Sequence, residues 1–295
     1  MRCIHLFHIG ILQLTQNLDD AVRGFKQGLK ELSVEADFHY FNADGNINEL
    51  PKLAQELAEL NVDLIFACST PAAKAAGNLV TNIPVLFTPV FDPISVNLVD
   101  NLEFPGGKLT GMSGMVNADD KVKFIQELLP NVKRLGMLYH TEDSNSLIEA
   151  SNFRKAVTDK FALSELTITC KEDISLLTET LPQDIDALFL PIGRIIEENF
   201  ASIAYYTDAI DVPIITSHAP NVVLGSLGAL VANHAMLGKA CAKQAHQILI
   251  EGKDVKAIPV GITDKPEILL NAFVADNLGI EIPASLLAKA TEVYE

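Results

Sequence analysis

The sequence predicts an α/β fold of doubly wound parallel sheets arranged as two lobes. Three observations predict it. Short apolar, β-rich runs alternate with amphipathic stretches along the chain, as in parallel strands covered by helices. The alternation comes in two sets, separated by a Gly-, Pro- and Asn-rich stretch at 92–114. The length of 295 residues suits two domains of about 150 residues each.

Each element has its own signal. IHLFHIGILQL (4–14) is apolar and β-rich, and Asn17 can cap the helix that follows. In that helix Ala21, Val22, Phe25 and Leu29 recur at helical spacing. EADFHYF (35–41) alternates like a strand, and INELPKLAQELAEL (47–60) reads as a helix. DLIFAC (63–68) is a short buried strand. TPAAKAAGNLV (70–80) starts a helix with Pro71 in its favoured first turn. IPVLFTPV (83–90) is the next strand. In the second set, helices are predicted at 118–129 and 144–160, and strands at 134–140, 163–169, 186–191 and 212–216. A long helix over 234–252 and a strand at 267–273 follow.

The loop-like 92–114 segment marks a first crossing between lobes, and Pro259 to Pro266 a later one. The lobes are therefore expected at 1–113 plus about 234–264, and at about 114–233 plus 265–295.

Composition excludes several classes. Hydrophobic residues make up 48% and charged residues 20%, a globular balance and not a disordered one. The net charge of −16 repels phosphate backbones, so no nucleic-acid partner is expected. Cys3, Cys68, Cys170 and Cys241 form no CxxC pair. The start of the chain lacks the pattern of a secretory leader and reads directly as a first strand. That fits a cytoplasmic chain or a mature segment whose leader has been removed.

Standard catalytic motifs are missing. There is no GxGxxG and no GxxxxGK[ST], and Met115 breaks a GxSxG elbow in GMSGM. HExxH is absent, and His5 and His8 fall on opposite faces of one strand. No metal and no cofactor is expected.

The informative segment is DLIFACSTPAAKAAGN (63–78). A buried strand ends and a helix begins at once, at the carboxyl edge where parallel sheets bind ligands. Ser69 and Thr70 with the helix amides form an anion cradle, or else one of the two hydroxyls simply caps the helix. In VLFTPVFDP, Asp92 can take an ammonium group and Phe91 can offer a ring face. Alternatively Asp92 starts a turn, as Asp-Pro pairs often do. In LYHTEDSNS, the polar Tyr139, Asn145 and Ser146 stand before a helix that Asp143 or Ser144 can cap.

These residues carry a family likeness. The chain resembles ABC-transporter substrate-binding proteins of the tryptophan/tyrosine-binding type, with the type I periplasmic-binding fold. PVLFTPVFDPISVNLVDNLEFPGGKLTGMSG (84–114) is the most specific match, to P-I-V-F-x-x-V-x-D-P…L-x-x-P-G-G-N-x-T-G-x-S. DLIFACSTPAAKAA resembles the family's DLIVAIGTPAAQA, and ELLPNVKRLGMLYHTEDSNS (127–146) its ELLP-x-x-K-x-I-G-x-L-Y-N-x-x-E-x-N-S. IGILQL…RGFKQGLKEL (9–32) and LGIEIPASLLAKATEV (278–293) resemble the family's opening and ending. TQNLDD (15–20) departs from its H-P-A-L-D, and Asn233 stands where an Asp is usual.

The resemblance implies a ligand cleft between two lobes that close on it. It implies a small-molecule cargo, most simply an aromatic or apolar amino acid or a related carboxylate. A membrane permease and ATPase would be the partners, the site extracytoplasmic, and the protein a monomer without catalysis. On that basis Ser69 and Thr70, with the amides of Ala72 and Ala73, would hold a carboxylate. Asp92 would take an amine or hydroxyl, and Gln13 would reach in from the same lobe. Tyr139, Asn145 and Ser146 would come from the other lobe, with Arg194 and His218 beside them. Arg194 reads equally as a solvated residue at a helix start. Asn233 would replace an acidic partner by an amide. Phe91 and Tyr139 would stack on a ring.

Two other readings differ in output. The same fold can serve as the ligand-sensing domain of a receptor. ACST also looks like the ACNT motif of cysteine-dependent aspartate/glutamate racemases, which would make Cys68 an acid–base thiol.

Overall fold

The computed structural model describes residues 6–79, 82–263 and 265–295, so Cys3 and His5 lie outside it. The chain divides into two compact units: unit 1 comprises residues 1–115 and 232–264, and unit 2 comprises 116–231 and 265–295.

Unit 1 opens with β1 (Phe7–Gln13), α1 (Asp19–Glu31), β2 (Ala36–Asn42), α2 (Leu50–Glu59), β3 (Leu64–Cys68), α3 (Thr70–Gly77), β4 (Val85–Val90) and β5 (Leu109–Ser113). A short 3-10 turn, Gln16–Leu18, precedes α1, so Leu18 and not Asn17 occupies the position before the helix. The strands form one parallel sheet in the order β2-β1-β3-β4-β5. β5 lies inside the stretch expected to be loop. Gly111 explains how it fits: its φ is +157°, and a Cβ there would overlap the Phe87 carbonyl of β4.

Unit 2 continues with α4 (Ala118–Leu128), β6 (Arg134–His140), α5 (Ser144–Ala156), β7 (Ala162–Ile168), α6 (Leu177–Thr180), β8 (Ala187–Leu190), α7 (Arg194–Glu198), α8 (Phe200–Asp208), β9 (Ile214–Thr216), α9 (Pro220–Val223) and β10 (Gly228–Val231). The chain then returns to unit 1 as α10 (His234–Leu249). It ends in unit 2 as β11 (Glu267–Asn271), α11 (Ala272–Asn277), α12 (Ala284–Leu287) and β12 (Glu292–Tyr294). The unit 2 sheet runs β12-β11-β10-β9-β8-β6-β7. All its pairs are parallel except β10–β11, which is antiparallel.

Each unit has its own core. In unit 1, Ile9, Ile11, Phe25, Phe66 and Leu86 pack with Leu237, Cys241 and Ala245 of α10. The rings of Phe25 and Phe66 stack with centroids 4.0 Å apart. Each such buried apolar side chain contributes roughly 1.5–3 kcal/mol. Helices α1 and α10 touch backbone to backbone, because a Cβ on Gly24 would overlap the Ala235 carbonyl and one on Gly238 the Ala21 carbonyl. In unit 2, Leu138, Ile168, Leu188, Phe200 and Ile214 form the core. Phe153 and Phe189 stack at 4.1 Å.

Candidate functional site

All unit 1 strands are parallel, so their carboxyl ends share one edge. Gln13 ends β1 and pairs in register with Cys68, the last residue of β3. Gln13 is fully buried. Its Oε1 accepts the Tyr40 hydroxyl, while its Nε2 is buried without a partner. The Tyr40 oxygen is also 3.3 Å from Asp19 Oδ1. Burial, followed by the Asp19 charge, pushes the Tyr40 hydroxyl up to about 12.

Ser69 follows β3 with φ +98° and ψ 158°, a region that side-chain-bearing residues rarely enter. The Ala72 N–H donates to its Oγ at 3.4 Å, and the Ala73 N–H donates to its carbonyl at 3.0 Å. The two amides expected to cradle a carboxylate are thus engaged inside the first turn of α3, and Ser69 acts as its cap. Pro71 carries no N–H. Thr70 is nearly buried.

Asp92 also serves its own turn. Its Oδ1 accepts the N–H groups of Ile94 and Ser95 at 3.1 Å each, and its Oδ2 accepts the Ser95 hydroxyl at 2.7 Å. The turn-starting role, and not ammonium binding, accounts for these contacts. Phe91 beside it is buried at 7% exposure. Asn233 caps α10, accepting the Met236 N–H at 2.8 Å.

In unit 2, β6, β7, β8, β9 and β10 have their carboxyl ends at a common edge. Ser146 is fully buried, and its Oγ accepts the His140 N–H at 3.0 Å. It fastens α5 to the end of β6 and faces no solvent. Asn145 donates its N–H to Asp143 Oδ1 at 2.9 Å, and its own Oδ1 is buried without a partner. Asp143 Oδ2 accepts the Arg194 N–H at 3.4 Å. The Arg194 side chain is 65% exposed and lies 3.9 Å from Glu198, so it is a solvated helix-start residue.

Tyr139 is turned away from that edge. Its hydroxyl accepts from Arg154 at 3.3 Å, and Arg154 sits over its ring at 6.0 Å. Arg154 in turn donates to Glu165 Oε1 at 2.6 Å. The expected stacking role therefore falls to a cation of the same unit. Burial and the Glu165 carboxylate raise the Tyr139 hydroxyl above its ordinary range.

His218 does lie at the edge. Its Nδ1 is 3.2 Å from Asn221 Oδ1 and its Nε2 is 3.7 Å from Glu197 Oε2. Glu197 Oε1 accepts the Gly193 N–H at 3.1 Å. Burial raises the Glu197 carboxyl, with His218 opposing. A buried group that sequence reasoning missed lies behind these residues. Lys121 pairs with Glu149, donates to Ser217 Oγ at 2.7 Å, and Glu149 Oε2 accepts the Ile192 N–H at 2.7 Å. The sequence signal was a lysine on the apolar stripe Lys121, Phe124, Ile125, Leu128.

The family model described as ABC transporter substrate binding protein matches residues 8–294. The chain belongs to that family.

As a substrate-binding protein it has relatives with named ligands. A Clostridioides difficile protein named tyrosine-binding protein is 30% identical over 273 residues, covering 90% of this chain and 78% of the relative. The solved ABC domain of Streptococcus pneumonia in complex with L-Trp superposes with a TM-score of 0.87 at 28% identity, over 98% of this chain and 100% of the other. The ligand-free, open structure of a Clostridium difficile substrate-binding protein with adhesive properties gives 0.85 at 28% identity, over 98% and 99%. Family members work outside the cytoplasmic membrane with an ABC transporter as partner. No helix among the described residues is long and apolar enough to cross a membrane.

The substrate-binding protein offers no poised thiol at Cys68. That residue is fully buried, and burial pushes its thiol up, with Cys241 adding to the shift. An acid–base cysteine needs an accessible thiol held low.

Proposed function

We propose that this protein captures an aromatic amino acid, tryptophan or tyrosine, for an ABC importer and releases it unchanged. The observation that carries the reading is the close match, in fold and length, to a domain that holds L-Trp. The relative named for tyrosine points to the same cargo class.

Two orphaned polar atoms, one in each unit, lie at the carboxyl edges of the sheets. Gln13 Nε2 is a buried donor without an acceptor, and Asn145 Oδ1 a buried acceptor without a donor. Leaving such groups unmet costs about 1–3 kcal/mol each. Within its own unit each can be met by a polar group of a small ligand, the Gln13 donor by a carboxylate and the Asn145 acceptor by an ammonium. Thr70 adds a hydroxyl at the unit 1 edge, and His218 a ring at the unit 2 edge. Ser69, Asp92, Ser146 and Asn233 then hold the backbone in place and do not touch cargo. Ala72 and Ala73 form the turn behind Thr70. The protein acts as a monomer at an extracytoplasmic site, binds no nucleic acid and needs no cofactor.

Calorimetric titration with L-Trp, L-Tyr, L-Leu, nucleosides and small organic acids tests the reading. Saturable binding of the two aromatic amino acids, tighter than L-Leu, is expected. Binding of another class alone, or turnover of any amino acid, overturns it.

A further inference from the structure

Pairing β1 with β2 assembles three groups that neither strand holds alone. His8 pairs with Asp37 and Gly10 with His39, so His8, Asp37 and His39 project from one face at the outer edge of the unit 1 sheet. His8 Nδ1 lies 3.2 Å from His39 Nε2 and 3.8 Å from Asp37 Oδ2, and that Oδ2 lies 3.9 Å from His39 Nε2. The circle through these three atoms has a radius of about 2.1 Å, the length of a zinc–imidazole or zinc–carboxylate bond. An ion at its centre lies in the plane of the three donors, and drawing Asp37 Oδ2 in by about half an ångström lets it sit out of that plane in the tetrahedral geometry zinc prefers.

We propose that His8, Asp37 and His39 bind a divalent transition-metal ion such as Zn2+ through two imidazoles and one carboxylate. The donor set decides the class of ion. Imidazole nitrogens suit zinc, copper and nickel, whereas calcium and magnesium require oxygen ligands. The backbone holds the donors in place. Seven consecutive pairs fix the register of β1 on β2, and the His8 N–H donates to Asp63 Oδ2 at 2.7 Å, which fastens the start of β1 to the turn before β3. His8 and Asp37 are exposed and His39 is half-buried, so an ion enters without opening the core. Three protein ligands leave the remaining coordination positions to water. His8 is five residues from Gln13, about 16 Å along an extended strand, so the ion does not touch the amino-acid edge. It ties the edge strand β2 to β1.

The test uses the full chain in a Cys3→Ala, His5→Ala background, which removes two other metal donors near the start. Zn2+ is titrated calorimetrically, and Co2+ is followed by its visible absorption. One Zn2+ per chain is expected. His8→Ala and His39→Gln should each weaken binding at least about 10–100-fold, since losing even an outer partner of a ligand costs that much. Asp37→Asn should weaken it less, and the Co2+ bands should fade in all three variants. Circular dichroism of each variant confirms that the fold is kept. Absence of Zn2+ binding, or Zn2+ binding unchanged in His39→Gln, overturns the proposal and leaves a plain histidine–histidine hydrogen bond.

Discussion

Replacing Ser69 by glycine should make unit 1 more stable, even though it removes the cap of α3. Ser69 holds φ +98° and ψ 158°. For a residue with a Cβ that backbone costs about 1–3 kcal/mol, and for glycine almost nothing. Two terms oppose the gain. The cap bond from the Ala72 N–H is long, at 3.4 Å, and a glycine cap gives up only a few tenths of a kcal/mol. Glycine also loosens the unfolded chain, at a cost of about 0.4–1 kcal/mol. The balance is a gain of about 1 kcal/mol, or roughly 3 °C in the melting temperature of a unit this size. Ser69→Ala is the control. It keeps the backbone cost and loses the cap, so it should fall by about 0.5–1 kcal/mol. The assay is thermal unfolding of both variants beside the parent, with hydrogen exchange at the amides of α3. The opposite signs of the two changes are the signature. A glycine variant that melts below the alanine variant refutes the reasoning, because it would place the stability in the side chain and not in the backbone.

Further perturbations probe other links. Lys121→Met should cost unit 2 about 3–5 kcal/mol in urea unfolding, because it strands the buried Glu149 carboxylate. Lys121→Met with Glu149→Leu should recover most of that loss, and a double variant no better than the single would contradict the ion-pair account. Gln13→Leu should weaken the L-Trp complex by roughly 5–100-fold, the value of one buried donor left without its acceptor; an unchanged dissociation constant would remove Gln13 from the site. The Glu165 carboxyl is held below its ordinary value chiefly by its hydrogen bond to Arg154. Its contribution is complete above the unfolded value near 4.5 and fades as pH falls through the lower folded value. Arg154→Met should therefore flatten the acid limb of a stability–pH curve, by at most about 1 kcal/mol for so exposed a pair. Gly238→Ala should separate α1 from α10, since its Cβ meets the Ala21 carbonyl. Expected is a loss of about 1–3 kcal/mol from forced overpacking, read by thermal unfolding.

Much of the fold was legible because parallel strands buried on both faces leave continuous apolar runs. DLIFAC, IPVLFTPV and RLGMLYH show this directly, and each contains or matches an observed strand. The misses have separate causes. β5 is flanked by Pro105, Gly106 and Gly107 and contains Gly111, residues that score as loop. α8, with the sequence FASIAYYTD, carries aromatic and β-branched residues with no strong helical preference, and packing of Phe200 and Ile203 into the core sets its state. The antiparallel course of β11 leaves no mark in EILLN, since a short apolar strand reads alike in either direction.

The polar edges were harder. Ser69, Asp92, Asn145 and Asn233 all stand where a strand or loop meets a helix or turn, the place that both ligands and caps require. Only the folded structure separates the two uses, by showing which lone pairs the chain already occupies. Asp92 gives three of its four acceptor sites to its own turn, whereas Gln13 Nε2 and Asn145 Oδ1 are left without partners. The His8–Asp37–His39 group is legible in neither strand, because its members are 29 and 31 residues apart and meet through a register that pairing of the whole sheet sets.

The sequence by itself determined the class of fold, the alternation of strands and helices, and the family, since these follow from apolar periodicity and local motifs. Tertiary structure alone decided which polar groups cap, which pair and which remain open. That outcome depends on distances between residues far apart in the chain, and local sequence carries no record of them.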